Sequence, residues 1–164
     1  MDIRLVRIDD RLIHGQVATV WTKHAKINRI LVVSDEVAKD EMRKLLLTQA
    51  APPEVKVNVI PVSKMIAILQ DPRFTDDFRT MLLFTNPKDV KRVVMSGMKI
   101  PSINVGSMSY CMGKKMITNA VAVNEEDICD FVFLHQQGID IEIRKVIADT
   151  PVDLMQLLKK ERLI

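Results

Sequence analysis

A short segment near the N-terminus holds most of the residues that could carry chemistry. Residues 7–17 read Arg-Ile-Asp-Asp-Arg-Leu-Ile-His-Gly-Gln-Val, with two arginines, two aspartates and one histidine. Guanidinium groups bind phosphate oxygens through paired hydrogen bonds, which lysine cannot form. A neutral imidazole is a nucleophile, and one of the aspartates could hold its second nitrogen and fix the tautomer. These residue types predict that His14 accepts a phosphoryl group, with Arg7 and Arg11 as cationic contacts.

The same residues also allow a purely structural interpretation. His14 could cap a helix, and the two arginines could pair with the two aspartates without any ligand. The spacing of these residues leaves both interpretations open.

The elements that must position this segment are predicted from short apolar runs. Runs rich in Val, Ile and Leu are separated by amphipathic stretches of helical length. Most runs are continuous, which is typical of strands in a parallel sheet that is covered on both faces. The predicted strands are 3–8, 30–34, 55–60, 80–85, 102–106, 120–124 and 139–143. The predicted helices are 15–24, 35–49, 63–70, 88–96, 125–137 and 152–160.

This alternation predicts an α/β fold with an open, mostly parallel sheet of about seven strands and helices on both faces. No linker, repeat or low-complexity tract divides the chain, so a single domain over residues 1–164 is predicted. Ligands of such folds bind outside the carboxyl ends of the strands. Residues 9–15 lie there, and so does 107–116, the longest segment without predicted structure. His14 is expected at the first turn of a helix, where free N–H groups favour an anion.

The composition excludes several classes of protein. A hydrophobic content of 48% provides a real core and excludes gross disorder. No apolar run reaches the roughly 18–20 residues of a membrane span, and the charges of Asp2 and Arg4 argue against a signal peptide. The net charge of +3 is too small to require a nucleic-acid or membrane partner. A cytoplasmic protein is therefore expected.

The cysteines and the remaining histidines are predicted to have no catalytic role. The two cysteines are too few for a disulfide framework and lack the spacing of metal ligands. Cys111 has no activating neighbour, and Cys129 is predicted to be a small core residue. His24 and His135 have no second ligand at metal spacing, so no metal is predicted.

The glycines and lysines of residues 106–115 do not form an ATP-binding loop. A Walker A motif has four residues between its glycines, whereas six separate Gly106 from Gly113. Lys114 and Lys115 could face an acidic partner or a phosphate, and a solvated loop explains them equally well.

Residues 7–17 resemble the signature of the IIB components of mannose/fructose/sorbose-type bacterial phosphotransferase systems. Further segments resemble family segments in the same order, so the resemblance covers essentially the whole chain. These segments are 45–53, 83–90, 103–108, 113–115 and 117–118. The sequence is most similar to sorbose- and mannose-type members.

The resemblance implies a phosphohistidine-dependent sugar phosphotransferase without a cofactor. His14 matches the histidine that accepts a phosphoryl group on Nδ1 from a IIA protein and passes it to a sugar held by the membrane components IIC and IID. Arg11 and Arg7 match residues that would contact the phosphoryl group, and Asp10 matches a residue that would orient the loop. The protein would then lie in the cytoplasm, associated peripherally with the membrane permease.

The sequence leaves some properties open. Many relatives have two glycines in place of Gly106-Ser107 and an aromatic residue or arginine near 110–112, which bears on the sugar and on the fit to IIC. The oligomeric state is also open, and a homo-oligomer is compatible with the sequence. Two alternatives are a non-catalytic module that binds a nucleotide or phosphorylated metabolite at the same loop, and a nucleic-acid-binding domain suggested only by the pI of about 8.9.

Overall fold

Seven of the nine strands in the described residues form one open sheet. The structure is a computed structural model that describes residues 1–15, 17–73 and 78–164. The strands are β1 (Asp2–Asp9), β2 (Arg29–Val33), β3 (Lys56–Ile60), β4 (Arg79–Phe84), β5 (Ser102–Ser107), β6 (Lys115–Met116), β7 (Ala122–Val123), β8 (Asp140–Ile143) and β9 (Val152–Asp153). The large sheet has the order β3-β2-β4-β1-β5-β8-β9, and only β9 runs antiparallel to its neighbour.

The described residues also form seven α-helices. They are α1 (Thr22–His24), α2 (Asp35–Ala38), α3 (Glu41–Gln49), α4 (Val62–Leu69), α5 (Pro87–Met95), α6 (Glu125–Gln136) and α7 (Leu154–Lys160). A π-helical turn, Val17–Trp21, leads directly into α1. Several helices begin at polar side chains that accept from free N–H groups; Asn86 and Asn124 cap α5 and α6 in this way. None of the helices in the described ranges is both long and apolar enough to cross a lipid bilayer.

Two hydrophobic clusters cover the two faces of the sheet. One lies between the sheet and helices α4 to α7, with residues such as Met65, Val90 and Leu134. The other lies under the π-helical turn, α2 and α3, and includes Val17 and Leu47. The predicted α/β fold, with a mostly parallel sheet of seven strands and helices on both faces, is confirmed.

Three predicted elements differ from the structure. Residues 120–124 were expected in the sheet, but β7 pairs with β6 in a separate two-stranded sheet. The apolar residues there are buried, and burial does not specify which strand is the partner. The seventh strand of the large sheet is instead β9, at the start of the predicted helix 152–160. The predicted helix 35–49 is divided because Asp40 accepts a hydrogen bond from the Arg43 N–H at 2.9 Å and begins a new helix.

Candidate active site

The loop after β1 folds back over the end of its own strand. Its conformation depends on Leu12, which is buried and has a φ of +59°, a left-handed conformation that is uncommon for leucine. His14 follows two residues later, and its carbonyl accepts a hydrogen bond from the Ala18 N–H at 2.8 Å. His14 therefore lies at the start of the helical segment, as predicted. Gln16, which belongs to the predicted helix, lies outside the described residues.

The side chains of this loop converge on Asp9, whose carboxylate has no solvent exposure. Arg7 Nη2 donates to Oδ2 at 2.7 Å. Arg11 binds both oxygens, from Nε to Oδ1 and from Nη2 to Oδ2, each at 3.1 Å. His14 Nε2 lies 3.2 Å from Oδ2. We call these four residues the Asp9 cluster.

The two arginines keep Asp9 charged despite its burial. Burial alone would raise the pKa of Asp9, but hydrogen bonds from Arg11 and the nearby charge of Arg7 outweigh that effect and hold the pKa below its ordinary value. Burial lowers the pKa of Arg7, and the carboxylate of Asp9 opposes that shift. A guanidinium keeps its proton in proteins, so a carboxylate and a guanidinium form a charged pair in the interior.

The contact with Asp9 distinguishes the two nitrogens of His14. A neutral imidazole has one N–H donor and one nitrogen with a free electron pair. When Nε2 carries the proton and donates to Asp9, the free pair is on Nδ1. Carboxylates fix the tautomer of metal-binding histidines in the same way. The side chain of His14 is 24% exposed, so a second molecule can approach the ring.

Arg11 and Arg7 differ in their access to solvent. The Arg11 side chain is 37% exposed and lies at the edge of the Asp9 cluster. Arg7 has no exposure, and its guanidinium donates to Asp9, to Asn104 Oδ1 and to the carbonyls of Arg144 and Lys145. The guanidinium of Arg11 is therefore accessible to a ligand, and that of Arg7 is not.

Asp10 is hydrogen-bonded to β5 and to the segment that follows it. Its Oδ2 accepts a hydrogen bond from the Ser109 N–H at 2.6 Å, and its own N–H donates to the Ser107 carbonyl at 3.1 Å. Asp10 therefore attaches the loop of His14 to the segment after β5. The residue chemistry left open which aspartate holds the imidazole, and in the structure it is Asp9.

Other candidate residues lie in local pairs or on the surface. Lys114 pairs with Asp127 at 2.9 Å, at the start of α6, and Lys115 lies 3.6 Å from Glu161. Cys111 and Cys129 are both exposed free thiols, so the prediction of Cys129 as a core residue was wrong. Cys129 lies on the solvent face of α6, where a weakly polar thiol is tolerated. Within the described residues, no group of three or more His, Cys, Asp or Glu side chains could hold a metal ion.

The sequence reasoning missed the polar residues that support the cluster. On the face under Trp21, β2 and β4 present apolar residues, whereas three neighbouring strands present polar residues or glycine. These are Arg7 and Asp9 on β1, Asn104 and Gly106 on β5, and Glu142 on β8. A signal exists in the sequence, because in each strand these residues alternate with Ile or Val. In β1, β5 and β8, the Ile and Val residues therefore form apolar contacts on one face of the sheet only, and the other face carries the polar residues.

Gly106 lies against the Asp9 cluster without space for a side chain. A Cβ at this position would lie 1.9 Å from Arg7 Nη2 and 2.7 Å from Asp9 Oδ2. Any other residue would therefore displace the buried ion pair.

We predict that Gly106→Ala lowers the free energy of unfolding by about 3 kcal/mol, because it overpacks the site and separates a buried charge pair. Urea unfolding followed by circular dichroism measures this change. Gly15→Ala is the matched control, since a Cβ there meets no atom within 4 Å. Equal stabilities of the two variants would contradict the close packing of Gly106 on the ion pair.

Comparison with known proteins identifies the family. Residues 3–164 match the model of the PTS system sorbose subfamily IIB component. The mannose-specific EIIAB component of Escherichia coli K12 is 54% identical over 160 residues, which are 98% of this chain and 49% of that protein. The chain thus spans about half the length of this relative. The sorbose-specific EIIB component of Lacticaseibacillus casei is 44% identical over 155 residues, 94% of each chain.

Solved structures show the same fold. The crystal structure of the IIBSor domain of the sorbose permease from Klebsiella pneumoniae superposes with a TM-score of 0.94, at 43% identity and 98% coverage of both chains. A IIB component of the N-acetylgalactosamine system from Escherichia coli superposes with a TM-score of 0.87 at 30% identity. The resemblance predicted from residues 7–17 is therefore confirmed, and the chain belongs to the sorbose subfamily of IIB components of the phosphotransferase system.

Proposed function

We propose that this chain accepts a phosphoryl group on Nδ1 of His14 and transfers it to a sugar. The observation that carries the proposal is the contact between His14 Nε2 and the buried carboxylate of Asp9. A proton on Nε2 leaves the electron pair of Nδ1 free to attack phosphorus. The phosphorus–nitrogen bond of the donor then breaks, and the donor imidazole leaves with the electron pair. Asp9 stabilises the positive charge that develops on the His14 ring.

Arg11 is the residue that we assign to the phosphoryl group itself. Asp9 holds its guanidinium through Nε and Nη2, which fixes the plane of the group before the phosphoryl group arrives. A fixed guanidinium stabilises the oxygens of the transferred group without a further entropic cost. Its partial exposure allows this contact while a donor protein covers the site.

Arg7 and Asp10 act indirectly in this proposal. Arg7 holds Asp9 from the interior, so we assign it the position of the carboxylate rather than a contact with phosphate. Asp10 holds the segment that begins at Ser109 next to the loop of His14, which fits the orienting role that the resemblance implies.

The proposed partners follow from membership of the IIB family. A IIA protein would supply the phosphoryl group from its own histidine, and membrane components IIC and IID would hold the sugar. Two histidines must nearly touch during transfer, so the surface around the exposed edge of His14 is the proposed contact with each partner. We propose that residues 1–164 act as one domain in the cytoplasm, at the membrane permease.

A labelling experiment tests the proposal. The chain is incubated with radiolabelled phosphoenolpyruvate, the general proteins of the phosphotransferase system and a IIA protein. We expect one phosphoryl group per chain, labile in acid and stable in base, and none in His14→Ala. His135→Ala serves as the matched control, since His135 is an exposed histidine on α6 and should leave labelling unchanged.

Two outcomes would contradict the proposal. Label that persists in a folded His14→Ala variant would place the phosphoryl group elsewhere. Tight binding of a nucleotide or phosphorylated metabolite without covalent label would favour the non-catalytic alternative.

We predict that Arg11→Lys slows transfer to His14 roughly 10- to 100-fold without unfolding the domain, because lysine keeps the charge but loses the fixed fork of donors. Single-turnover transfer from phosphorylated IIA measures the rate, and circular dichroism checks the fold. Lys23→Arg, a change of the same type at an exposed residue outside the Asp9 cluster, should transfer at the original rate. An unchanged rate in Arg11→Lys would argue against a bidentate contact with the phosphoryl group.

A further inference from the structure

A row of polar side chains crosses the sheet beneath the Asp9 cluster. Arg7 on β1 is in register with Asn104 on β5, and Asn104 is in register with Glu142 on β8. Because parallel strands in register place their side chains side by side, the three groups form a continuous chain of hydrogen bonds. We call these three residues the polar row. It begins at half-buried Glu142 and ends at Arg7, which contacts Asp9.

The contacts of Asn104 fix which way its amide points. Its Nδ2 donates to Glu142 Oε1 at 2.9 Å and to the Arg144 carbonyl at 3.3 Å. Its Oδ1 therefore faces Arg7 Nη1 and accepts from it. An ionised Glu142 accepts hydrogen bonds and cannot donate one, so it selects this orientation of the Asn104 amide over the reverse. The reverse orientation would direct an N–H toward the guanidinium.

Asn104 holds the Nη1 edge of the Arg7 guanidinium, and the Nη2 edge remains available to Asp9. The Arg144 and Lys145 carbonyls accept from Nη1 and Nη2 at 3.1 Å each, and the Trp21 ring lies over the group at 4.7 Å. A guanidinium is planar, so a shift of its Nη1 edge also shifts the Nη2 group that binds Asp9. Asp9 in turn binds His14.

We propose that Asn104 and Glu142 are positioning residues for phosphoryl transfer, acting through Arg7 on Asp9 and hence on the ring of His14. This inference rests on the proposed function of His14. Neither residue touches the phosphoryl group. Their effect is to keep the Asp9 carboxylate where it holds His14 Nε2. A displacement of about 1 Å at such a site lowers the rate of a reaction by up to roughly 100-fold.

A pair of substitutions tests the coupling between the two residues. Asn104→Asp places a second carboxylate beside Glu142, removes the donor that faces it and competes with Asp9 for Arg7. Glu142→Gln removes one negative charge and can donate a hydrogen bond to that new carboxylate. The double variant therefore has the net charge of the original protein and a continuous chain of hydrogen bonds.

We measure single-turnover transfer from phosphorylated IIA over a range of donor concentrations. Asn104→Asp should lower the rate at saturating donor roughly 10- to 100-fold and change the half-saturating concentration by less than about threefold, because the donor does not contact the polar row. The double variant should transfer at least about tenfold faster than Asn104→Asp alone, since the repulsion is removed. Glu142→Gln alone should lower the rate about threefold, because an acceptor oxygen remains but the new amide can also donate and no longer selects one orientation of Asn104.

If Asn104→Asp does not fold, a second variant, Glu142→Leu, tests the same inference. Glu142 is half-buried near the end of the row, so the leucine can be accommodated, and we expect a rate about tenfold lower because the Asn104 amide loses its fixed orientation. Asp140→Asn is the matched control, since Asp140 is an exposed carboxylate on the same strand, two residues away. It should leave the rate unchanged.

Several results would overturn the inference. Folded Asn104→Asp or Glu142→Leu that transfers at the original rate would show that the polar row is only structural. The same conclusion would follow from a change confined to the half-saturating concentration, or from a double variant as slow as Asn104→Asp. If the original chain is not labelled on His14 at all, the proposed function itself fails. If the original chain is labelled and the variants transfer at the original rate, only this inference is contradicted.

Discussion

A carboxylate without solvent exposure, that of Asp9, is the group on which the site depends. Removing an ion from water costs several kcal/mol unless partners satisfy it, and Asp9 has two guanidinium groups and an imidazole around it. Each of those partners is fixed in return. Asp9 fixes the plane of the Arg11 guanidinium at the surface and binds the Arg7 guanidinium in the interior. It also contacts the Nε2 atom of His14. The loop of His14 therefore has a defined geometry, although it is short and partly exposed.

The surrounding fold is arranged to accommodate the buried charge pair. Gly106 provides the space beside it, and Trp21 covers the Arg7 guanidinium on the helical side. The π-helical turn that contains Trp21 directly follows the loop, and such turns are frequent at functional sites. On the rest of this face, β2 and β4 pack apolar residues against α2 and α3. One half of the face thus stabilises the domain, and the other half supports the Asp9 cluster.

Sequence reasoning predicted the fold class because the apolar runs and helix caps carry local information. It predicted the place of His14 because the carboxyl end of a first strand is a common site for ligands. It could not choose between Asp9 and Asp10, since neighbouring residues in a strand point to opposite sides and the register of the turn decides which one meets the ring. Arg7 posed the same difficulty, because residue type shows that it can bind phosphate and only the packing shows that it is buried.

Long-range pairing explains the other differences. The run at 120–124 is buried, as its residue types indicate, but its partner β6 is a two-residue strand that follows an exposed loop. Asn104 and Glu142 are separated by 38 positions in the chain, and nothing local connects them. The alternation of polar residues with Ile and Val in β1, β5 and β8 was the available signal. It requires the strand order before the three strands can be placed side by side.

The state of the His14 ring before phosphorylation tests the role of Asp9 most directly. ¹⁵N and ¹H NMR spectra of the ring, recorded where the imidazole is neutral, report which nitrogen carries the proton and how fast that proton exchanges. If Asp9 orients the ring, Nε2 is protonated, Nδ1 is not, and the Nε2 proton of His14 exchanges much more slowly than the ring proton of exposed His135 in the same sample. Protonation of Nδ1, or exchange as fast as that of His135, would contradict the assignment of Asp9 as the residue that prepares His14 for attack.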